Sequence, residues 1–285
     1  MFRTSTRSSY GLVTSAGRLV LAHVVELPKV SADGPLSVTG GVKAEELLGM
    51  TENTDPIRGE RVIAAIDMPS TDDGGQLVPL ALGTRNGVVK RWNRESPTTM
   101  DSWSVIDLKD DDEVLAAAEA RDEDRLVFVS TDSSLLTFER RMCVRRAVPL
   151  AAWRAFVWLR GVRWPRSRGA DGKVTWNYEE GENGLFSASG AVVLTVAGDS
   201  EALPGTENGA AKVTPLEMYP TKGRGTGGVR SQRFLKGQDT LILAFVGAYP
   251  LHASTQSGAP VELPKPDMRR DGSGTDLSAP IAVVG

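Results

Sequence analysis

Cysteine occurs once, at Cys143, and histidine twice, at His23 and His252. A single thiol excludes an internal disulfide and a cysteine-rich zinc site. Two histidines argue against a His-based metal centre. The apolar run Ala147 to Leu159 is broken by Arg154 and is too short to span a bilayer. Met1 is followed by Phe2-Arg3-Thr4-Ser5, without the apolar core and cleavage site of a secretory signal. The cytoplasm is therefore the expected compartment. No G-x-S-x-G elbow is present, so nucleophilic catalysis has no support. The stretch "DMRRDGSGTD" (Asp267 to Asp276) fails the spacing of a calcium loop. Long helical periodicity is scarce as well, which turns attention to strands.

What remains is a globular composition: 285 residues, 40% of them hydrophobic, with net charge −3. That size suits one large domain or two modest ones. The small net charge hides segregation. Asp101 to Asp124 holds ten acids against Lys109 and Arg121; Arg140 to Arg168 holds nine arginines and no acid. Lys222 to Lys236 carries five basic groups and no acid. A polyanionic partner is thus compatible with the total, provided the basic groups share a face.

Short apolar or alternating runs recur between Gly, Asn, Asp and Ser, the pattern of strands joined by tight turns. "YGLVTSAGRLVLAHVVELP" (Tyr10 to Pro28) reads as two strands around Ser15-Ala16-Gly17. "LVPLALGTRNGVVKRWN" (Leu77 to Asn93) repeats the scheme around Asn86-Gly87, the pair that suits a type I′ turn. "RLVFVSTDSSLLTFER" (Arg125 to Arg140) turns at Asp132-Ser133-Ser134. Ala191 to Pro220 gives a fourth hairpin with a long polar tip, and Leu251 to Pro264 a degenerate fifth. Each hairpin is followed by a loop and one more strand, in the places of Val62–Met68, Val114–Ala118 and Thr240–Val246. Gly40-Gly41-Val42-Lys43 parallels Gly227-Gly228-Val229-Arg230. Hairpin, loop and strand form a small antiparallel sheet that cannot bury its faces alone, so copies stack. The expected fold is all-β, a propeller-like array of about five four-stranded blades in a single domain over 1–285. The blades are placed at 9–68, 76–120, 125–190, 191–247 and 248–285, with the third disrupted. An irregular β-sandwich is the alternative.

"GRGTGG" (Gly223 to Gly228) fits G-x-G-x-x-G, but a dinucleotide site needs it between a strand and a helix. Here it follows Tyr219-Pro220-Thr221-Lys222 and leads into a β repeat. The bland reading is a flexible loop. The sharper one is a backbone loop close to phosphate, flanked by Lys222, Arg224, Arg230, Arg233 and Lys236. "TRNGVVKRWNR" sets Arg85, Lys90, Arg91 and Arg94 on a hairpin, a pattern that is also an ordinary solvated face. Acidic Asp107 to Asp112 is read as a solvated loop.

The hairpins "YGLVTSAGRLVLAHVVELP", "GTRNGVVKRW" and "LVFVSTDSSLLTF" resemble the repeats of the C-terminal β-pinwheel of type IIA DNA topoisomerase A subunits, the family of the gyrase and topoisomerase IV A subunits. "YPTKGRGTGGVRSQRFLKGQDTLILAF" resembles the late blade of the topoisomerase IV type. The resemblance spans most of the chain except about Arg141 to Ser189. It implies a wheel whose basic rim binds and bends duplex DNA and presents it to a catalytic core. Carried over by position, the rim cations are Arg18, Lys43, Arg85, Lys90, Arg91, Arg224, Arg230 and Arg233, with Lys222 and Lys236 beside them. The implied partners are duplex DNA, the catalytic core of the A subunit, and the ATPase B subunit, with no membrane and a nucleoid-associated place in the cytoplasm. The resemblance implies no cofactor in this chain; ATP and Mg would serve the rest of the enzyme. Gyrase's Q-R-R-G-G-K-G box has no copy; "KGRGTGGVR" is a degenerate echo, which favours relaxation and decatenation over gyrase-type wrapping. None of Tyr10, Tyr178, Tyr219 or Tyr249 has the context of the family's catalytic tyrosine, so strand cleavage by this chain alone is not expected. A protein-interaction propeller without a DNA role is the alternative from another class.

Arg141 to Gly169 holds three of the six tryptophans and no acid. Arginines beside aromatics suit single-strand binding. Yet the third repeat calls for a Gly-rich loop here. Read in another register with GC-rich codons, Met142 to Arg160 spells VRPQGRPAGGMAGVRLAA, such a loop. The expectation is a compensated frameshift between roughly Arg140 and Ser189, with blade three incomplete and this segment poorly packed or outside the wheel. Codons that cannot give the loop in either other frame would rule this out.

Overall fold

Leu80–Thr84 (LALGT) and Ala191–Gly198 (AVVLTVAG) are buried along their whole length. Strands covered on both faces lose the alternation of half-buried ones. In the computed structural model both lie inside a stack of small sheets. It describes residues 6–27, 43–48, 59–68, 78–97, 99–109, 111–120, 125–139, 148–149, 155–156, 177–180, 186–203, 206–223 and 226–285.

Blade one pairs β1 (Ser9–Thr14) with β2 (Arg18–His23) on one side and β3 (Val62–Asp67) on the other. Blade two does the same with β4 (Leu80–Thr84), β5 (Val88–Trp92) and β7 (Val114–Glu119). In each, the third strand returns to the first strand of the hairpin. The fourth strand, β6 (Ser102–Ser104), lies in the second repeat but pairs with β2 of blade one. The same hand-off recurs. β10 (Val148–Pro149) pairs with β5 of blade two. Blade three combines β8 (Arg125–Ser130), β9 (Ser134–Glu139), β11 (Ala155–Phe156) and β16 (Val229–Arg230), the last from the fourth repeat. Between β11 and the fourth hairpin, β12 (Asn177–Glu180) and β13 (Phe186–Ser189) form a separate pair. Blade four joins β14 (Ala191–Gly198), β15 (Ala210–Pro215) and β17 (Thr240–Ala248), with β20 (Thr275–Asp276) from the fifth repeat. Blade five has β18 (Ala253–Ser254), β19 (Pro260–Val261) and β21 (Val283–Val284). Consecutive repeats are thus stitched by exchanged strands, which the repeat pattern alone did not specify.

The core is divided among the spaces between blades. Val13, Leu19 and Ile66 of blade one meet Leu80, Leu82 and Val114 of blade two. Ala81 and Val89 meet Leu126, Phe128, Leu136 and Phe138 of blade three. Val127 and Val129 point the other way, to Ala191 and Val193 of blade four. Val192, Leu194 and Val213 then meet Ala253 and Val261 of blade five. The period-two alternation of a strand therefore assigns side chains to two neighbours rather than to core and solvent. On the remaining face of blade one, Ala44 and Leu48, at the ends of helix α1 (Ala44–Leu47), pack against Tyr10, Leu12 and Ala22.

Two expectations are corrected. Asn86-Gly87 does not form a type I′ turn: Gly87 has φ 75° and Asn86 is not in the left-handed region. A three-residue loop replaces it, with Gly87 N–H donating to the Thr84 carbonyl at 3.0 Å and Val88 N–H to Thr84 Oγ1 at 3.0 Å. The turns at Thr14–Arg18, Ser130–Ser134 and Thr255–Ala259 repeat both bonds, with Gly17, Ser133 and Gly258 at positive φ. The hydroxyl at the first position fixes the loop and removes the need for a second left-handed residue. The second correction concerns the arginine- and tryptophan-rich segment. Two of its short strands, β10 and β11, do join the sheets, so it does not lie wholly outside the stack. Blade three keeps four strands, but its third strand has two residues where blade one's has six. The remainder of 140–176 lies outside the described residues.

The turn residue at positive φ also receives the next repeat. Val105 N–H donates to the Gly17 carbonyl at 2.9 Å, Ser231 N–H to Ser133 at 2.7 Å and Leu277 N–H to Gly209 at 3.0 Å. A Cβ on Gly17 would sit 2.7 Å from the Ile106 carbonyl oxygen, whereas one on Gly258 would meet nothing within 4 Å. Left-handed φ alone costs a non-glycine residue about 1–2 kcal/mol. Gly258→Ala should lose about that amount in urea unfolding. Gly17→Ala should lose measurably more, because the incoming strand must also shift.

Candidate nucleic-acid interface

The hairpin tips gather charge because three kinds of residue meet there: the turn itself, the start of the second strand, and the residues just before the third strand. The third kind is acidic in several repeats, and its carboxylates reach back to the tip. Asp112 accepts Thr84 Oγ1–H at 2.7 Å and Asn86 N–H at 2.9 Å. Asp239 accepts Ser200 N–H at 2.8 Å and Ser200 Oγ–H at 2.6 Å, and these bonds hold its carboxyl below the usual range. Glu60 accepts both Nε–H and Nη2–H of Arg18, at 3.1 and 2.5 Å. The acidic loop is therefore not merely solvated, as expected for Asp107 to Asp112: Asp112 is a clasp on the blade-two turn.

The cations expected on a rim differ in what the structure does with them. Arg18 sits at the start of β2 with its side chain 36% exposed, its guanidinium bonded to Glu60, whose side chain is fully buried. Arg85, in the blade-two turn, pairs with Glu113. Lys90 and Arg91 are half-buried on β5, opposite Leu82 and Ala81. Lys43 is exposed immediately before α1. Arg230, on the exchanged strand β16 opposite Ser134, is exposed, as are Arg233 and Lys236 further along the same segment. Lys222 is half-buried and donates from Nζ to the Gly227 carbonyl at 3.4 Å. Arg224 lies outside the described residues.

The Gly223 to Gly228 segment follows a short 3-10 helix, Leu216–Met218, and runs into strand β16. That context excludes the strand-to-helix turn of a dinucleotide fold. Thr226 N–H closes a turn on the Gly223 carbonyl at 3.1 Å, and a Cβ on Gly227 would face open space.

Sequence reasoning missed Arg61. It precedes β3, and its guanidinium meets Glu113 at 3.0 Å, the same carboxylate oxygen that takes Arg85. Its position just ahead of a third strand, the place occupied by Glu113 and Asp239 in other repeats, was the available signal. Arg94 was read as a hairpin cation but is buried at φ 62°, donating to the Asp67 carbonyl at 3.0 Å and pairing with Glu119. It ties the third strands of blades one and two. The blade-four tip is acidic: Asp199, Glu201 and Asp239 are exposed there. Cationic tips are thus a property of particular blades.

The family described as "DNA gyrase C-terminal domain, beta-propeller" matches residues 205–247, which run from the blade-four tip through β17. The DNA gyrase A subunit of Mycolicibacterium smegmatis is 25% identical over 278 residues, 96% of this chain and 28% of the relative. The DNA gyrase A subunit of Staphylococcus epidermidis is 25% identical over 275 residues, 94% of this chain and 26% of the relative. The chain therefore spans under a third of the length of these relatives. Among solved structures, the C-terminal domain of a DNA topoisomerase IV aligns with TM-score 0.60 and 18% identity, covering 98% of this chain and 79% of that one. A DNA gyrase A C-terminal domain aligns with TM-score 0.58 and 15% identity, covering 99% and 83%. The fold is that of a β-pinwheel. In sequence the chain is similar to DNA gyrase A subunits, and in fold to the C-terminal domains of gyrase A and topoisomerase IV. Among the described residues no helix is long and apolar enough to cross a membrane.

Proposed function

We propose that this chain binds and bends duplex DNA through the cations at its blade ends, as the C-terminal domain of an ATP-dependent type IIA topoisomerase A subunit. Its role there is to present DNA during decatenation and relaxation. The observation that supports this most directly is the placement of exposed Arg230, Arg233 and Lys236 on and after an exchanged strand. Such contacts engage phosphates without reading bases, and bending supplies the deformability-dependent part of the energy. The chain's partners are then duplex DNA, the catalytic core and the ATPase subunit. Both ATP and Mg act in those other parts, in a cytoplasmic, nucleoid-associated enzyme.

A second reading, chiral wrapping of the gyrase type, is favoured by the gyrase identity of the sequence relatives. The absent Q-R-R-G-G-K-G motif speaks against it. Relaxation of a nicked-and-religated plasmid in the presence of the chain separates them: wrapping leaves a topoisomer shift of one sign, bending alone leaves none.

Fluorescence anisotropy on a labelled duplex tests DNA binding itself. With about four phosphates engaged, log Kd should rise against log salt with a slope of about 3–4. Arg230→Ala and Arg233→Ala should each reduce the slope by about 1, uniformly across sequences. A slope near zero would leave a protein-interaction role instead.

A further inference from the structure

Two guanidiniums from consecutive repeats converge on one carboxylate at the tip of blade two. Arg61 leads into β3 of blade one, and Arg85 sits in the turn of blade two. Both donate Nη2–H to Glu113 Oε1, Arg61 at 3.0 Å. The two arginine side chains are 56% and 54% exposed, and Glu113 is 20% exposed. The Glu113 backbone is fixed from behind. Glu113 N–H donates to Asp112 Oδ1 at 3.0 Å, and the Glu113 carbonyl accepts Arg85 N–H at 2.8 Å.

This cluster differs from the Arg18–Glu60 pair in the two respects that matter for a ligand. Glu60 is buried and takes two donors of one arginine, so its pair is closed. At Glu113 two guanidiniums share one carboxylate oxygen on an open surface, while the neighbouring Asp112 carboxylate is taken up by the Thr84 hydroxyl and the Asn86 and Glu113 N–H groups. Paired arginines aimed at a single oxygen match a non-bridging phosphate oxygen as well as a carboxylate. Exposed ion pairs of this kind are weak and screened, so an incoming anion can displace them.

We propose that Arg61 and Arg85 form an inter-blade clip for one phosphodiester of duplex DNA, and that Glu113 is its built-in competitor, occupying the phosphate's place until DNA displaces it. The proposal rests on the DNA-binding reading above. It adds Arg61 to the contact surface and makes the clip's occupancy depend on a single carboxylate.

The test compares Glu113→Gln with Glu262→Gln, a control that removes the same charge at an exposed position just after β19. At fixed salt of ~100 mM, Glu113→Gln should tighten duplex binding about fivefold and steepen the salt slope by about 1, while the control changes affinity less than about twofold. Adding Arg61→Gln to Glu113→Gln should abolish the gain. Arg61→Gln alone should weaken binding about threefold, which keeps the proposal testable if Glu113→Gln does not fold. Equal gains from the two glutamine variants, with salt-dependent binding of the unaltered chain, would overturn the clip and leave the DNA reading standing. No duplex binding by the unaltered chain at any salt would overturn both.

Discussion

Arg18→Ala should lower the unfolding free energy by about 3 kcal/mol, measured by urea titration at neutral pH. The guanidinium gives two bonds to Glu60, whose side chain is fully buried. Truncation leaves that carboxylate out of water without a counter-charge, and the full penalty for such a loss is about 3–5 kcal/mol. The lower end applies because Arg18 is 36% exposed, so water can reach the vacated space. Arg18→Lys should recover only part of the loss, since an ammonium keeps the charge but not the two-pronged geometry. Adding Glu60→Gln to Arg18→Ala should also recover part, because it removes the stranded charge.

The double variant separates this from simple loss of packing: a packing defect would keep its size when Glu60→Gln removes the stranded charge, whereas a stranded carboxylate would not. Arg85→Ala offers the contrasting case. Its partner Glu113 retains Arg61 and is partly exposed, so stability should change little while DNA affinity falls.

This contrast marks where the sequence was legible. Four of the hairpins carry their turn within five residues, a hydroxyl first and a residue at positive φ fourth, whereas the fourth hairpin, with its long tip, was readable from its apolar strands. The stacking of repeats was readable because uninterrupted apolar runs such as Ala191–Gly198 demand cover on both faces. Strand exchange was not readable. Val229 and Arg230 look like part of the fourth repeat, and only the edge left open on β9 decides that they pair with Leu135 and Ser134. The cations were readable as cations and not as partners. Arg18 and Glu60 stand 42 residues apart, so nothing local distinguishes the buried pair from the rim. Arg61 carried a positional signal just ahead of a third strand, but its partner Glu113 stands 52 residues away in another blade.

Lys212 carries the second large effect, a gain in stability at alkaline pH. Its side chain is 1% exposed on β15, where three segments meet. Nζ donates to the Ser231 carbonyl at 3.1 Å, to the Arg270 carbonyl at 3.0 Å and to Thr214 Oγ1. One lysine therefore binds the blade-four hairpin to the segment passing towards blade three and to the loop arriving from the fifth repeat. Gly272 lets that loop lie close, since a Cβ there would stand 3.2 Å from Lys212 Cε. Burial pushes the ammonium down to about 8, against the opposing pull of Asp267 and Asp271. The folded state thus favours the free amine more than the unfolded chain does. Below pH 8 both states are protonated and the cost of the buried charge is fully present. Between pH 8 and 10.5 the folded protein loses its proton first, and stability rises. The gap corresponds to about 3 kcal/mol. The test is the unfolding free energy of the unaltered chain minus that of Lys212→Met, followed from pH 7 to 10.5. The difference should climb by about 3 kcal/mol, because the methionine variant has no proton to lose. At pH 7 the variant escapes the buried charge but strands the Arg270 carbonyl, while Ser231 keeps the Tyr219 hydroxyl at 3.4 Å. Those opposing changes should leave the two proteins close in stability there. A difference that stays flat with pH would mean that the amine is solvated, and that the knot between blades is held by its apolar neighbours instead.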